Sequence, residues 1–556
     1  MDFQQIVFPY RRSADHDARA PLRHPVVVVG AGPVGLSLAI DLALQQVPVV
    51  LLDNDDRLST GSRAICFAKR TLEIFDRLGL GQRVVDKGVS WSTGRVYLRD
   101  APIFSFDLQP ETTHERPAFI NIQQYYVEGF LAKRAMELPL IELRWKHAVV
   151  GVTQEADAVT LQVQTPDGTF ALQAEHVIAC DGARSSVRQL IGQEAKGRTF
   201  KDRFLIADVK MAADFPAERW FWFDPPFHPG QSVLLHKQPD GVWRIDFQLG
   251  WDADPEAEKQ PERILPRVRA LLAHSAMKDA PFELEWASVY SFSCERMERF
   301  RHGRVLFAGD AAHRVSPFGA RGANSGVQDA ENLAWKLAAV LQRRAPDALL
   351  DSYCAERELA ADENIGHSTR ATDFITPKSD VSRLFRDATL QLARDHPFAR
   401  SLVNSGRLST ASTLHGSPLS TPDRDAFGGA LGPGAPALDA PLRRDGRDGW
   451  LLRELGTGAF TALLFAGADD ESDAHALQQA ASGVAPLQVL RVAHDGDGRS
   501  AGLRTVVDSS GLIAQRYDGQ PGTVVLLRPD QHVCARWRRV SGDAAHAALR
   551  RALALH

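Results

Sequence analysis

The 556-residue chain is predicted to be a mixed α/β protein: a strand-and-helix domain split by an inserted β-sheet, with a further α/β unit towards its C-terminal end. Three observations predict this. Four valines run into a glycine-spaced turn and a helix-forming stretch, Val26-Val-Val-Val-Gly-Ala-Gly-Pro-Val-Gly35, and a second apolar strand, Val49-Val-Leu-Leu-Asp53, follows at βαβ distance. Period-two alternation replaces that pattern between about residues 202 and 290, and the α/β pattern returns after Arg304-Val-Leu-Phe-Ala308. Residues 404–436 are rich in Ser, Thr, Gly and Pro, as linkers are, and strands are expected beyond them at 461–465, 488–492 and 523–527.

Residues 1–25 are polar, with Pro9, Pro21 and Pro25, and read as an arm leading to the first strand. The first domain occupies 26–200 and 291–375, with the inserted sheet at 201–290 between its halves. A helical segment and linker (376–436) and a final unit (437–556) follow. In the opening turn Gly30 lets the chain leave the strand sharply, Gly32 lets backbone N–H groups approach a pyrophosphate, and Gly35 lets the helix pack against the sheet. The helix N-terminus then points its positive end at the phosphates. Asp53 stands about 20 residues past the glycines, where a carboxylate can grip ribose hydroxyls. Helices are expected at 69–80, 124–138 and 325–343, and short strands within 148–163. In the inserted sheet, strands at 231–237 and 242–249 flank the turn Pro239-Asp240-Gly241.

Composition narrows the function. Hydrophobic residues at 44% and charged residues at 24% are ordinary globular values, excluding a fibrous or wholly disordered chain. A formal charge of -4 supplies no basic field for nucleic acid, and no apolar run approaches the roughly 18 residues a membrane span needs. The expected partners are small molecules and the expected location the cytoplasm. Cys66, Cys180, Cys294, Cys354 and Cys534 are scattered with no CxxC, so neither a disulfide framework nor a thiolate metal site is expected.

Two later motifs decide which dinucleotide is held. One is Val177-Ile-Ala-Cys-Asp-Gly-Ala-Arg-Ser-Ser-Val-Arg188; the other is Gly303-Arg-Val-Leu-Phe-Ala-Gly-Asp-Ala-Ala-His313, continuing to Pro317-Phe-Gly-Ala-Arg-Gly-Ala-Asn324. With the glycine turn they resemble the three fingerprints of the flavoprotein aromatic hydroxylases, the single-component FAD monooxygenases related to p-hydroxybenzoate and phenol hydroxylases. The resemblance spans about residues 26–375. It implies a Rossmann-like FAD-binding domain. In it Gly309 and Asp310 would meet the ribityl chain, and the backbone of Gly322, Ala323 and Asn324 would lie along the pyrimidine edge of the ring. Arg63 and Gln124 would hold the pyrophosphate and ribityl region, and Asp181, Gly182 and Arg188 would contact FAD and NAD(P)H. Arg63 can also be read as a solvated ion-pair partner and Gln124 as a helix cap. Arg321 replaces an expected glutamine, leaving its role open, and His313 reads as a structural hydrogen-bonder. A helix beginning near Asn324 would set its positive end beside a reduced, anionic flavin. Pro317 would stiffen the loop over the ring.

No second nucleotide fingerprint follows, as expected where NADH or NADPH reduces a mobile flavin. The resemblance further implies that a C4a-hydroperoxyflavin formed with O2 hydroxylates a phenol or related aromatic, in a pocket kept dry. On the inserted sheet Arg244 is the candidate anchor for a substrate carboxylate, His236 or Asp246 the candidate base, and Trp222 a candidate pocket wall. Trp220-x-Trp222-x-x-Pro225 also resembles the WxWxIP signature of flavin-dependent halogenases, with Asp224 in place of isoleucine. Other readings are a tailoring hydroxylase of polyketide aromatics and a non-catalytic FAD-binding protein. Residues beyond 437, through Gly449-Trp-Leu-Leu452 and Pro521-Gly-Thr-Val-Val-Leu-Leu-Arg-Pro-Asp530, resemble the thioredoxin-like tail of phenol hydroxylase and imply a structural or dimer-supporting role. A homodimer is expected.

Overall fold

The computed structural model describes residues 3–59, 61, 64–275, 277–403, 408–429, 431–495 and 502–555. Its first sheet is built on β-branched strands buried on both faces, as parallel sheets covered by helices require. Arg23–Val29 lies between Gly168–Ala179 and Val49–Leu52, with Ile141–Arg144 and Val305–Phe307 outside them, all five parallel. Val26, Val27 and Val28 are wholly buried. Helix Pro33–Leu44 follows the first strand and packs against helix Gly322–Leu341. Their contact is close: a Cβ on Gly326 would stand 2.6 Å from Val34 Cγ2.

The N-terminal segment is packed down as well. Phe8 stacks on Trp145 with ring centres 4.4 Å apart, and Asp15 forms ion pairs with Arg144 and His24.

The second sheet is wider than the 201–290 segment expected from alternation. Its strand order runs His313–Arg314, Phe282–Met297, Ala195–Met211, Val242–Leu249, Ser232–Lys237, Arg219–Phe223, Thr93–Leu98, Ala101–Asp107. Two strands, of 17 and 16 residues, run without a break between the domains. Thr93–Leu98 joins by parallel pairing with Arg219–Phe223, a non-local contact that alternation cannot reveal.

The C-terminal sheet is ordered Arg447–Trp450, Pro441–Arg444, Arg504–Val507, Leu487–Ala493, Phe460–Phe465, Val524–Leu527, Val533–Trp537. The strands at 460–465, 487–493 and 504–507 are parallel, and the last two antiparallel. The expected linker is not a free tether where it is described. Asp423 accepts from Arg536, Phe427 lies 4.2 and 4.1 Å from the guanidinium carbons of Arg536 and Arg538, and Ser417 Oγ donates to Glu356.

Candidate active site

The glycine turn has the geometry of a phosphate cradle. Gly30 sits at φ +104, where a Cβ would strike the Cys180 carbonyl oxygen at 2.5 Å, and a Cβ on Gly35 would stand 1.9 Å from the Gly30 oxygen. A Cβ on Gly32 meets nothing within 4 Å. The first two glycine requirements are therefore internal to the fold, and the third faces open space that a pyrophosphate fits. Asp53, at the end of the second strand, accepts the Ala31 N–H at 2.6 Å and the Asp55 N–H at 2.8 Å. Burial raises its pKa, against the pull of those two N–H groups.

The other two motifs lie against this turn. Asp181 Oδ2 accepts from Ser186 Oγ and the Val187 N–H, both at 3.1 Å, and Gly182 takes φ +77 with open space where a Cβ would be. Arg188 is buried and donates to the Ala311 and Ala183 carbonyls at 2.6 and 2.8 Å, which ties the two motifs together. Burial lowers its pKa. Gly309 is at φ +62, and its N–H donates to Asp329 Oδ2 at 3.0 Å. Asp329 also contacts His313 at 2.7 Å and accepts from Arg357 at 2.6 Å. His313 is thus a buried brace, and Asp329 is an anchor the motif reading missed.

Asp310 is exposed beside this loop, and Pro317 is exposed between buried Ser316 and Phe318. Gly322 and Ala323 are half-buried in the first turn of helix Gly322–Leu341, where backbone N–H groups have no partner within the helix. The Asn324 side chain is fully occupied: Oδ1 accepts from the Ala68 N–H and Thr71 Oγ1 (2.8 and 2.6 Å), and Nδ2 donates to the Cys66 and Ala320 carbonyls (2.9 and 2.6 Å). Its contribution to a ring would be through its backbone. Arg321 is buried and donates to Asn364 Oδ1 at 3.1 Å, which gives the unexpected arginine a bracing role.

Arg63 lies outside the described residues. The segment around it is held at both ends: Gln124 Oε1 accepts the Ala64 N–H at 3.0 Å, and its Nε2 donates to Glu128 at 2.7 Å. Glu128 in turn accepts the Ser59 N–H at 2.8 Å. A Cβ on Gly61 would strike Trp286 of the second sheet, at 2.4 Å.

That sheet presents two faces. Residues directly opposite one another share a face, and the register pairs Arg219 with His236, His236 with Arg244, Arg244 with Asp208, and Asp208 with Trp286. Phe221 and Phe223 follow Arg219 on the front, against the flavin-motif domain. With Phe318, Gly319, Ala371, Phe374, Ile375 and Leu408 they line a narrow, partly open apolar cleft of about 20 Å³. Trp222, expected as a pocket wall, is on the rear face. It stacks on Tyr97 and meets Phe227 edge-on in the cluster under helix Pro261–His274. Trp220 shares that rear face.

Arg244 is not available to a substrate carboxylate as expected. Its Nε and Nη2 each donate to Asp208 at 2.8 Å, both residues being buried. His236 is buried, its pKa brought down to about 4 by burial and then by the charge of Arg219. Asp246 Oδ2 stands 3.3 Å from His236 Nε2. The sequence reading missed Arg219, which is 3% exposed and whose Nε and Nη1 have no hydrogen-bond partner among the described residues.

Known proteins place this geometry. A family model described as FAD binding domain matches residues 23–368. The chain belongs to this family, and it is an FAD-dependent monooxygenase. It is 30% identical to the 3-(3-hydroxy-phenyl)propionate/3-hydroxycinnamic acid hydroxylase of Mycolicibacterium smegmatis, over 70% of this chain and 68% of that one. It is 34% identical to the 12-dehydrotetracycline 5-monooxygenase/anhydrotetracycline 6-monooxygenase of Streptomyces rimosus, over 63% and 69%. Its fold matches that of the flavin-dependent monooxygenase PieE, solved in complex with FAD and substrate, with a TM-score of 0.81 at 23% identity across 97% of this chain and 100% of that one. The residues present fit FAD: an open Gly32, an acid at the ribose position, and backbone donors without intrahelical partners at the start of helix Gly322–Leu341.

Proposed function

We propose that this monooxygenase hydroxylates a single-ring phenol, taking electrons from NADH or NADPH. One observation carries the reading: Phe221, Phe223 and Phe318 line an apolar cleft together with Gly319, in the loop that would cover the flavin ring, and a phenol would have to widen that cleft to enter. FAD supplies the redox chemistry, passing electrons from the nicotinamide to O2 and delivering one oxygen atom to an electron-rich ring. The chain supplies the rest. The phenylalanines hold the ring and keep water out. His236, neutral near pH 7, accepts the hydrogen bond of a ring hydroxyl, and Asp246 behind it receives the positive charge that develops, which raises the electron density of the ring.

The test is NAD(P)H oxidation and O2 uptake by the purified FAD enzyme across a panel of phenols. A single-ring phenol should accelerate both and yield a product one oxygen atom heavier. Acceleration only by multi-ring substrates would favour the polyketide-tailoring reading, which the 34% identity to the tetracycline enzyme supports. No acceleration by any of them would favour a non-catalytic flavin protein.

The C-terminal unit reads as a thioredoxin-like support without dithiol chemistry, since Cys534 is unpaired and burial pushes its thiol up to about 12. A homodimer fits the exposed apolar residues Val381, Leu384, Phe385 and Phe398, which a second copy would cover; sedimentation tests it. A cytoplasmic location is the reading that five unpaired cysteines support.

A further inference from the structure

A buried guanidinium without partners is costly, because it has left water and gained no acceptor in return. Arg219 is in that state. Its Nε and Nη1 have no hydrogen-bond partner among the described residues, and the rings of Phe221 and Trp91 lie 5.0 and 5.9 Å from the guanidinium carbon. The other buried cations nearby are provided for: Arg244 has Asp208, and Arg188 has two carbonyls. The neighbouring acceptors are also turned elsewhere or unaligned. Asn121 Oδ1 accepts from the Trp91 indole at 2.8 Å and from Cys66 Sγ at 3.1 Å. Asp246 Oδ1 is buried with no partner among the described residues, and Oδ2 faces His236. Arg219 is two residues from Phe221, on the same strand face, and Phe221 walls the apolar cleft. A ring lying on Phe221 and Phe223 therefore has an unmatched cation at one end.

We propose that Arg219 is the specificity residue of the substrate pocket and that it binds an oxyanion carried by the aromatic substrate, so that the natural substrates are anionic ring compounds. This rests on the reading of the cleft as the substrate site. The oxyanion has two chemical sources, a side-chain carboxylate or an ionised ring hydroxyl, and both would meet the guanidinium through charge-assisted hydrogen bonds. Either one would complete a site that the protein alone leaves unsatisfied.

The experiment is a binding titration of the FAD enzyme, followed by the perturbation of the flavin absorbance, with three probes: 3-(3-hydroxyphenyl)propionate, its neutral amide, and 4-nitrophenolate. It is run on the parent enzyme and on Arg219→Met and Arg219→Lys. The expected result is a Kd for the acid at least tenfold below that for the amide in the parent, raised 100-fold or more in Arg219→Met and by less in Arg219→Lys, with amide binding little changed. If 4-nitrophenolate is the probe that weakens instead, the oxyanion is the ring oxygen and Arg219 retains its assignment. Equal affinities of parent and Arg219→Met for all three probes, or no binding of either anion by the parent, would overturn it. Bound FAD content and thermal melting report folding separately: Arg219→Met should melt no lower than the parent, because it removes an unpaired cation, and a lower melting point would mark Arg219 as a structural residue and overturn the proposal. Tight binding of the acid without NAD(P)H-dependent hydroxylation would leave the anion site standing and remove the hydroxylase reading.

Discussion

Two clusters of buried charge, one on the front of the second sheet and one between the flavin domain and the C-terminal unit, are built on opposite terms. In the second, every group is matched. Glu356 accepts from Arg528 and Ser417 on one oxygen, both at 2.5 Å, and from Lys336 and Asn332 on the other, at 2.6 and 2.8 Å. Arg528 also donates to both oxygens of Asp530, at 3.0 and 2.6 Å, and all four charged residues are at most 1% exposed. Burial alone would raise the Glu356 carboxyl, but Arg528 and Lys336 outweigh it and hold the group well below the usual carboxylate range. In the first cluster Arg219, His236 and Asp246 all keep atoms without a hydrogen-bond partner among the described residues. Comparable burial of Arg219 and Arg528 with unequal satisfaction separates a device for holding domains together from the anion site we propose.

The sharpest way to break this contrast is to remove one partner from each. Arg528→Met strips Glu356 and Asp530 of their shared cation and should cost about 3–5 kcal/mol in chemical denaturation. Arg219→Met should be neutral or stabilising by about 1–2 kcal/mol in the same measurement. If both variants destabilise alike, the two clusters are of one kind.

Acid separates them as well. The His236 pKa falls from its ordinary 6.5 to about 4 in the fold, so between those values the unfolded chain binds a proton that the folded chain refuses. Stability therefore falls as pH drops from 6.5 towards 4, and His236→Leu should flatten that part of the profile by about 1 kcal/mol or more. Glu356 works in a lower window: its folded pKa is depressed, so its contribution is complete above the ordinary carboxylate range and is lost as pH drops below it.

The smallest effect on stability belongs to Gly32→Ala. With nothing within 4 Å of the new Cβ, denaturation should shift by no more than about 0.5 kcal/mol, while FAD affinity drops at least tenfold, read by flavin fluorescence on titration. A stability loss without an affinity loss would move the pyrophosphate elsewhere.

The phosphate cradle was legible in the sequence because its geometry is local: Gly30 and Gly35 answer to atoms within a few residues or on the adjacent strand, and Gly32 lies between them with open space beside it. The hairpin about Pro239-Asp240-Gly241 was legible for the same reason, while its register, with His236 opposite Arg244, came from the structure. Strand Arg219–Phe223 was harder, because it is buried on both faces and alternation then gives no inside or outside. Trp222 was placed on the wrong side and Arg219 overlooked. Once Arg219 is seen opposite His236, its role is as readable as that of any residue in the site, but that pairing runs across the connection at 224–231. The interdomain cluster could not have been read, since Glu356 and Arg528 are 172 positions apart and charged residues carry no periodic signal.

Helix Gly322–Leu341 is gripped along its whole length. Its first turn would face the flavin, Asn324 is stitched to the segment at 66–71, and Asn332 and Lys336 sit in the interdomain cluster. Shortening this enzyme by deleting the C-terminal unit would leave Glu356 and Lys336 facing water across a torn seam, at the far end of the rod that frames the coenzyme. Chimeras between relatives should inherit the two modules jointly, and a catalyst engineered for small size would first need that seam rewritten in apolar residues.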